Sequence, residues 1–121
     1  MFFILLLLLP MTSMAISVTD DVGNKIELKG EAKRIVTLAP HIVEQLFAIG
    51  AGDRIVGTVS YSDYPEAAKE IPIIGGYELF DLETILALKP DLVIGWSSGN
   101  SAAQLEQFQH VLNMAVRPFQ Y

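Results

Sequence analysis

The sequence predicts an α/β fold with a mainly parallel sheet flanked by helices. Three observations point there. The runs "RIVTL" from Arg34, "RIVGTV" from Arg54 and "DLVIGW" from Asp91 are short, apolar and rich in β-branched residues. They lack the polar alternation of a half-solvated strand, so they suit a sheet buried on both faces. Segments of helical periodicity with recognisable ends separate them, and strands alternating with helices are the mark of βαβ units.

Taken in order, the chain opens on "MFFILLLLLP". This run is too short to span a bilayer as a helix, which takes roughly 20 apolar residues. It reads as the apolar core of a secretory signal, with "TSMA" placing small residues at Ser13 and Ala15 for cleavage after Ala15. No Lys or Arg precedes the apolar run, which leaves open a retained membrane anchor or a misassigned start. Residues 16–34 follow as a hairpin segment, since "VTDDVGNKIEL" alternates loosely on either side of the turn-formers Gly23 and Asn24.

Residues 35–121 carry the alternating strands and helices of the α/β fold. Its first strand is Ile35–Leu38. Pro40 opens a helix at the position where its missing N–H is harmless, and Gly50 ends it. Ile42, Val43, Leu46, Phe47 and Ile49 fall on one face of that helix. Ile55–Val59 is the second strand, and "YPEAAKEIP" allows one short helix between its prolines. Asp81 caps a helix over Leu82–Leu88, stopped by Lys89 and Pro90. "DLVIGW" is the third strand of the sheet. A longer helix runs from Ser101 through Leu112, with Asn113 placed as a left-handed cap, and "AVRPFQY" begins a further strand.

Composition narrows the function. The chain has no cysteine, which removes a disulfide framework, cysteine-type zinc sites, a cysteine nucleophile and a lipid-modified cysteine after the signal. All 14 acidic and 8 basic side chains lie beyond Ala15, so the exported part keeps the net charge of −6. A binder that tracks nucleic-acid phosphates would carry a basic surface instead.

In open α/β sheets ligands bind outside the carboxyl ends of the strands. The residues there are Ala39, Pro40 and His41 after the first strand, "SYSDY" from Ser60 to Tyr64 after the second, and "WSSGN" from Trp96 to Asn100 after the third. The edge is aromatic and hydroxyl-rich, with no lysine, no arginine and no phosphate-binding glycine loop. Such a rim suits a bulky, flat or sugar-like ligand. Equally, the tyrosines can be loop aromatics that merely cover the sheet edge.

The segments "RIVTLAPHIVEQLFAIGAGDRIVG", "SYSDYPEAAKEIP", "DLETILALKPDLVIGW" and "GN" at Gly99 and Asn100 carry a resemblance. They resemble the amino-terminal lobe of periplasmic binding proteins that serve ABC importers of iron chelates and vitamin B12. "SYSDYP" with "KPDLVIGW" and "GN" is similar to the vitamin B12 branch of that family. The resemblance implies two α/β lobes joined by a long helix, with the ligand in the cleft between them. It implies cobalamin as the transported ligand and a membrane permease as partner. The signal and the lack of a lipid-modified cysteine add the expectation of a soluble periplasmic protein, with neither a cofactor of its own nor a metal site. Residue by residue, it implies ligand contacts at Tyr61 and Trp96, a weaker match at Tyr77 in "GGYELFDLE", and a permease-docking carboxylate at Glu83. Read by itself, Glu83 is a first-turn acid facing the helix dipole.

The chain ends at Tyr121, about where the first lobe of such a protein finishes, so the expectation is a lobe without its second half. Iron-siderophore or haem binding on the same fold is the alternative function. His41 by itself is a structural or solvent-facing residue, because metal sites gather several ligands, although a cobalt or haem iron needs only one imidazole. His110 lies in a helix without a chemical partner nearby, and Asp63 reads as a turn acid. A hydrolytic α/β enzyme is the remote alternative. It lacks a "GxSxG" elbow, and the serines of "GWSSGN" have no histidine at a diagnostic spacing.

Overall fold

A computed structural model describes residues 16–19, 25–28, 31–76, 78–111 and 114–117. Strands β1 (Ile16–Thr19) and β2 (Lys25–Leu28) pair antiparallel, with Ile16 opposite Leu28 and Thr19 opposite Lys25. This is the expected hairpin; its turn, like the apolar residues 1–15, lies outside the described residues. Strands β3 (Ile35–Thr37), β4 (Ile55–Gly57), β5 (Leu92–Trp96) and β6 (Met114–Arg117) form a parallel four-stranded sheet in the order β4-β3-β5-β6. At its amino-terminal edge the Asp91 carboxylate accepts from the backbone N–H of Lys33 (2.7 Å) and of Arg34 (3.0 Å). The Arg34 guanidinium donates in turn to the Leu88 carbonyl at 2.9 and 2.6 Å, so the entries to β3 and β5 are locked in register.

Helix α1 (Pro40–Ala48) starts on its proline, and Gly50 leaves it at φ +81°, a conformation for which glycine carries no Cβ penalty. Ile42 and Val43 are buried and Leu46 and Phe47 half-buried. Ile49, expected on the same face, is 76% exposed because it falls past the last turn as the C-cap. The segment after Tyr64 is helical but tightens into a 3-10 helix, Glu66–Glu70. Helix α2 (Leu82–Ala87) starts as predicted on Asp81, whose carboxylate accepts from the Glu83 N–H (3.1 Å) and the Thr84 hydroxyl (3.0 Å). Helix α3 (Ala102–Gln109) is capped by the Ser101 hydroxyl and stops short of the expected end, with His110 as its cap rather than an interior residue. Leu112 and Asn113 lie outside the described residues.

The connections fix which face each helix covers. From β3 the chain moves through α1 to β4 on one side; from β4 through α2, and from β5 through α3, it moves the other way. Right-handed crossovers therefore put α1 on one face of the sheet and α2 and α3 on the other. The packing agrees. Ile85, Leu105 and Phe108 of α2 and α3 pack with Val36, Leu38, Val59 and Val93, and Phe80 joins them. Val43 of α1 packs instead with Ile55, Ala68 and Ile71.

Strand β5 departs from the fully buried strand that its apolar sequence predicts: Val93 and Gly95 are buried, whereas Leu92, Ile94 and Trp96 are half-exposed. Helices α2 and α3 cover the first set. Among the described residues α1 lies over β3 and β4 and leaves the second set open, along a groove of about 380 Å³ lined by Ile42, Gln45, Leu46, Ala48, Ile49 and Ile94. The outer edge of β4 is covered in a way the sequence did not signal. Pro72–Gly75 runs parallel beside Thr58–Ser60, through Thr58 N–H to Pro72 O (3.0 Å), Ile74 N–H to Thr58 O (2.7 Å) and Ser60 N–H to Gly75 O (2.8 Å).

Candidate functional site

The crossovers leaving β3 and β5 run in opposite directions, and these strands are neighbours. Their carboxyl ends therefore border a topological switch point, the crevice where open α/β sheets bind ligands. The residues at that crevice are His41, on the first turn of α1, and Trp96, the last residue of β5. Their rings meet edge-on, with centroids 5.0 Å apart and planes at 77°. This geometry sets the positive edge of one ring against the face of the other.

Two neighbours seat the indole. A Cβ at Gly99 would overlap the six-membered ring of Trp96, so the ring lies directly on the glycine backbone. Asn100, 6% exposed, holds the strand end from below. Its Oδ1 accepts from the Trp96 N–H (2.6 Å), its Nδ2 donates to the Leu38 carbonyl (2.8 Å), and its backbone N–H returns to the Trp96 carbonyl (2.8 Å). A donor on one side and an acceptor on the other admit only one orientation of the amide. Asn100 thus stitches the ends of β3 and β5 together at the crevice. From the sequence it was visible only as the second letter of "GN"; a buried amide looks the same there as any loop asparagine.

Tyr61 stands one strand further along the same edge, after β4. It is 78% exposed, with φ +70°, in the turn Val59–Ser62. The Ser62 hydroxyl donates to the Val59 carbonyl (2.8 Å) across that turn. Tyr64 is also exposed, and its peptide bond to Pro65 is cis. Asp63 is exposed, as suits a turn acid.

Tyr77 lies outside the described residues, but its flanks are fixed. Gly75 bridges Phe80 antiparallel, Gly76 N–H donates to Leu79 O (3.1 Å), and Ser60 N–H reaches Gly75 O. The loop therefore returns as a small hairpin beside Ser60, with Leu79 74% exposed and Phe80 anchored in the core. Nothing in the sequence singled out Leu79 or this hairpin. Glu83 is exposed on the first turn of α2. The structure thus brings His41 and Trp96 into contact and places Tyr61 on the same rim, while the hydrogen bond at the start of α2 joins Glu83 to Asp81. The apolar groove beside α1 is on the sheet face, and neither Trp96 nor Tyr61 lines it.

Comparison with known proteins agrees with this architecture. The family described as periplasmic binding protein matches residues 35–116. The chain belongs to that family. A vitamin B12-binding protein of Vibrio campbellii is 45% identical over 80 residues, which are 66% of this chain and 29% of that protein. The crystal structure of a periplasmic vitamin B12-binding protein of Vibrio cholerae superposes with a TM-score of 0.66 at 38% identity, covering 74% of this chain and 34% of that one. A periplasmic haem-binding protein of Roseiflexus sp. RS-1 superposes with a TM-score of 0.67 at 36% identity, over 73% of this chain and 34% of its own. The chain therefore spans about a third of the length of the relatives it matches, and the two-lobed fold class inferred from sequence is that of its structural neighbours.

Proposed function

We propose that this chain is the first lobe of a solute-binding component of an ABC importer, which takes cobalamin in the periplasm and delivers it to the membrane permease. The observation that carries the reading is the pairing of Trp96 with a switch-point crevice in a chain that is 45% identical over 80 residues to a vitamin B12-binding protein. A corrin ring offers a broad apolar face fringed by amides. Trp96 and Tyr61, aromatic bodies with polar tips on one rim, can meet both parts. The role is non-catalytic: the rim provides surface for recognition, and the relatives described above are binding proteins.

Tyr61→Ala and Trp96→Ala should each weaken cobalamin binding by about 1–3 kcal/mol, the range for central contacts. The reading is tested by calorimetric titration with cobalamin, haem and ferric siderophores side by side. Haem is the second candidate, favoured by the haem-binding neighbour and by the imidazole of His41 at the crevice. Tight haem or siderophore binding without cobalamin binding overturns the first reading in favour of the second.

Two further roles belong to the proposal. Residues 1–15 act as a signal removed on export, so the mature protein begins near Ile16; mass spectrometry that finds an intact Met1 in a membrane fraction refutes this. Glu83 docks the lobe on the permease. Its carboxylate is exposed on a helix start held by Asp81, and a rim charge of this kind governs encounter and register more than ligand affinity. Glu83→Ala should slow cobalamin uptake by cells carrying the full-length component while calorimetric affinity stays unchanged, and equal uptake would remove Glu83 from the interface.

A further inference from the structure

Beneath Tyr61 lies a run of buried hydroxyls. Thr37 at the end of β3 and Thr58 just past β4 are fully buried, and Ser62 in the turn is 2% exposed. Thr37 Oγ1 is 2.7 Å from Thr58 Oγ1, Thr58 Oγ1 is 3.0 Å from Ser62 Oγ, and Ser62 Oγ donates to the Val59 carbonyl at 2.8 Å. The last bond decides the direction of all the others. A carbonyl can only accept, so Ser62 has spent its single proton and must accept from Thr58. Thr58 has then spent its own proton and must accept from Thr37. The chain runs one way, Thr37 to Thr58 to Ser62 to Val59 O, and such chains polarise each bond in turn.

The chain ends on the turn that presents Tyr61. A positive φ at the third position of a tight turn is the conformation for which glycine is favoured, and a side chain there is strained. A large aromatic residue held in that conformation at 78% exposure requires surroundings that impose it. The Ser62 hydroxyl closes the turn from Val59 to Ser62 around Tyr61, and the two threonines tie that closure to the ends of β3 and β4.

We propose that this one-way hydroxyl chain is the device that positions Tyr61 for the ligand, with Ser62 as its positioning residue. The inference rests on the cobalamin reading for its functional part, and on geometry alone for its structural part. Direction makes the members unequal. Ser62→Ala strands the Thr58 proton, leaves the Val59 carbonyl without its donor and opens the turn. Thr58→Val strands the Thr37 proton in the core but keeps the Ser62–Val59 bond. Thr37→Val strands no proton at all.

The ligand-free test is limited chymotrypsin cleavage after Tyr61, scored against cleavage at core sites such as Phe108; the Tyr64–Pro65 bond resists because proline follows. Cleavage of a transiently opened segment tracks its open population. Ser62→Ala should raise the relative cleavage at Tyr61 about ten-fold, while Thr58→Val and Thr37→Val leave that ratio near the wild-type value. Unchanged cleavage in Ser62→Ala, or an equal rise in all three, overturns the proposal. Should Ser62→Ala fail to fold, Ser62→Cys, similar in size with a weaker donor, reads the same ratio.

The ligand test is a double-mutant cycle on cobalamin affinity in the full-length protein. Ser62→Ala should lose about ten-fold when Tyr61 is present and nothing further in a Tyr61→Ala background, since it acts through that ring. Equal losses in both backgrounds refute positioning. If wild type does not bind cobalamin, the functional reading falls, and the cleavage ratio still decides the hydroxyl chain.

Discussion

Asn100→Ala should lower the free energy of unfolding by about 2–4 kcal/mol, because it leaves the Trp96 N–H and the Leu38 carbonyl without their partner at the joint of β3 and β5. Both bonds are short, and the asparagine is buried, so water does not readily take its place. Denaturant unfolding followed by Trp96 fluorescence measures the loss directly, since Trp96 is the only tryptophan. The folded variant should also show a shifted emission, because the ring sits on the backbone that Asn100 holds. On the cobalamin reading, the same substitution should also weaken cobalamin binding, because Asn100 holds the strand end that carries Trp96. A loss under about 1 kcal/mol would mean that the amide is not the fastening described here.

Phe108→Ala should be the most destabilising truncation in the core, at about 3–5 kcal/mol. Phe108 is 1% exposed and its ring centroid lies 5.2 Å from that of Phe80. Phe80 anchors the hairpin that returns beside Ser60, so a cavity at Phe108 undermines one support of the sheet's carboxyl edge as well as the packing of α3. Urea unfolding gives the stability change. Hydrogen exchange at the amides of Ser60 and Gly76, whose carbonyl partners belong to this hairpin, reports the loosening. An intact midpoint with unchanged exchange would show that α3 is not needed to hold the hairpin.

Much of the architecture was legible in the sequence because it follows from local rules. Pro40 and Gly50 bracket α1, Asp81 and Ser101 cap their helices, and the apolar runs at Ile35, Ile55 and Leu92 are strands. Helix signals and strand periodicity each depend on neighbours a few residues away, so one chain read in order contains them. Placement of Trp96 and Tyr61 at strand ends followed from the same reading, since the carboxyl edge of a parallel sheet is defined once the strands are. Ile49 and β5 departed from expectation for a common reason: apolar character says that a residue can be buried, and the position of the covering helix decides whether it is.

The alternation of strands and helices by itself determined the α/β class, and the aromatic, lysine-free edge followed from its strand ends. Only the tertiary structure decided where the crevice falls, because strand order, with β3 between β4 and β5, is a property of pairing across the chain. It alone joined Asn100 to Leu38, 62 residues apart, and Thr37 to Thr58, 21 apart. These are short polar side chains whose sequence neighbours carry no trace of their partners. What they do depends on a hydrogen bond, and a hydrogen bond is a matter of distance and direction in space.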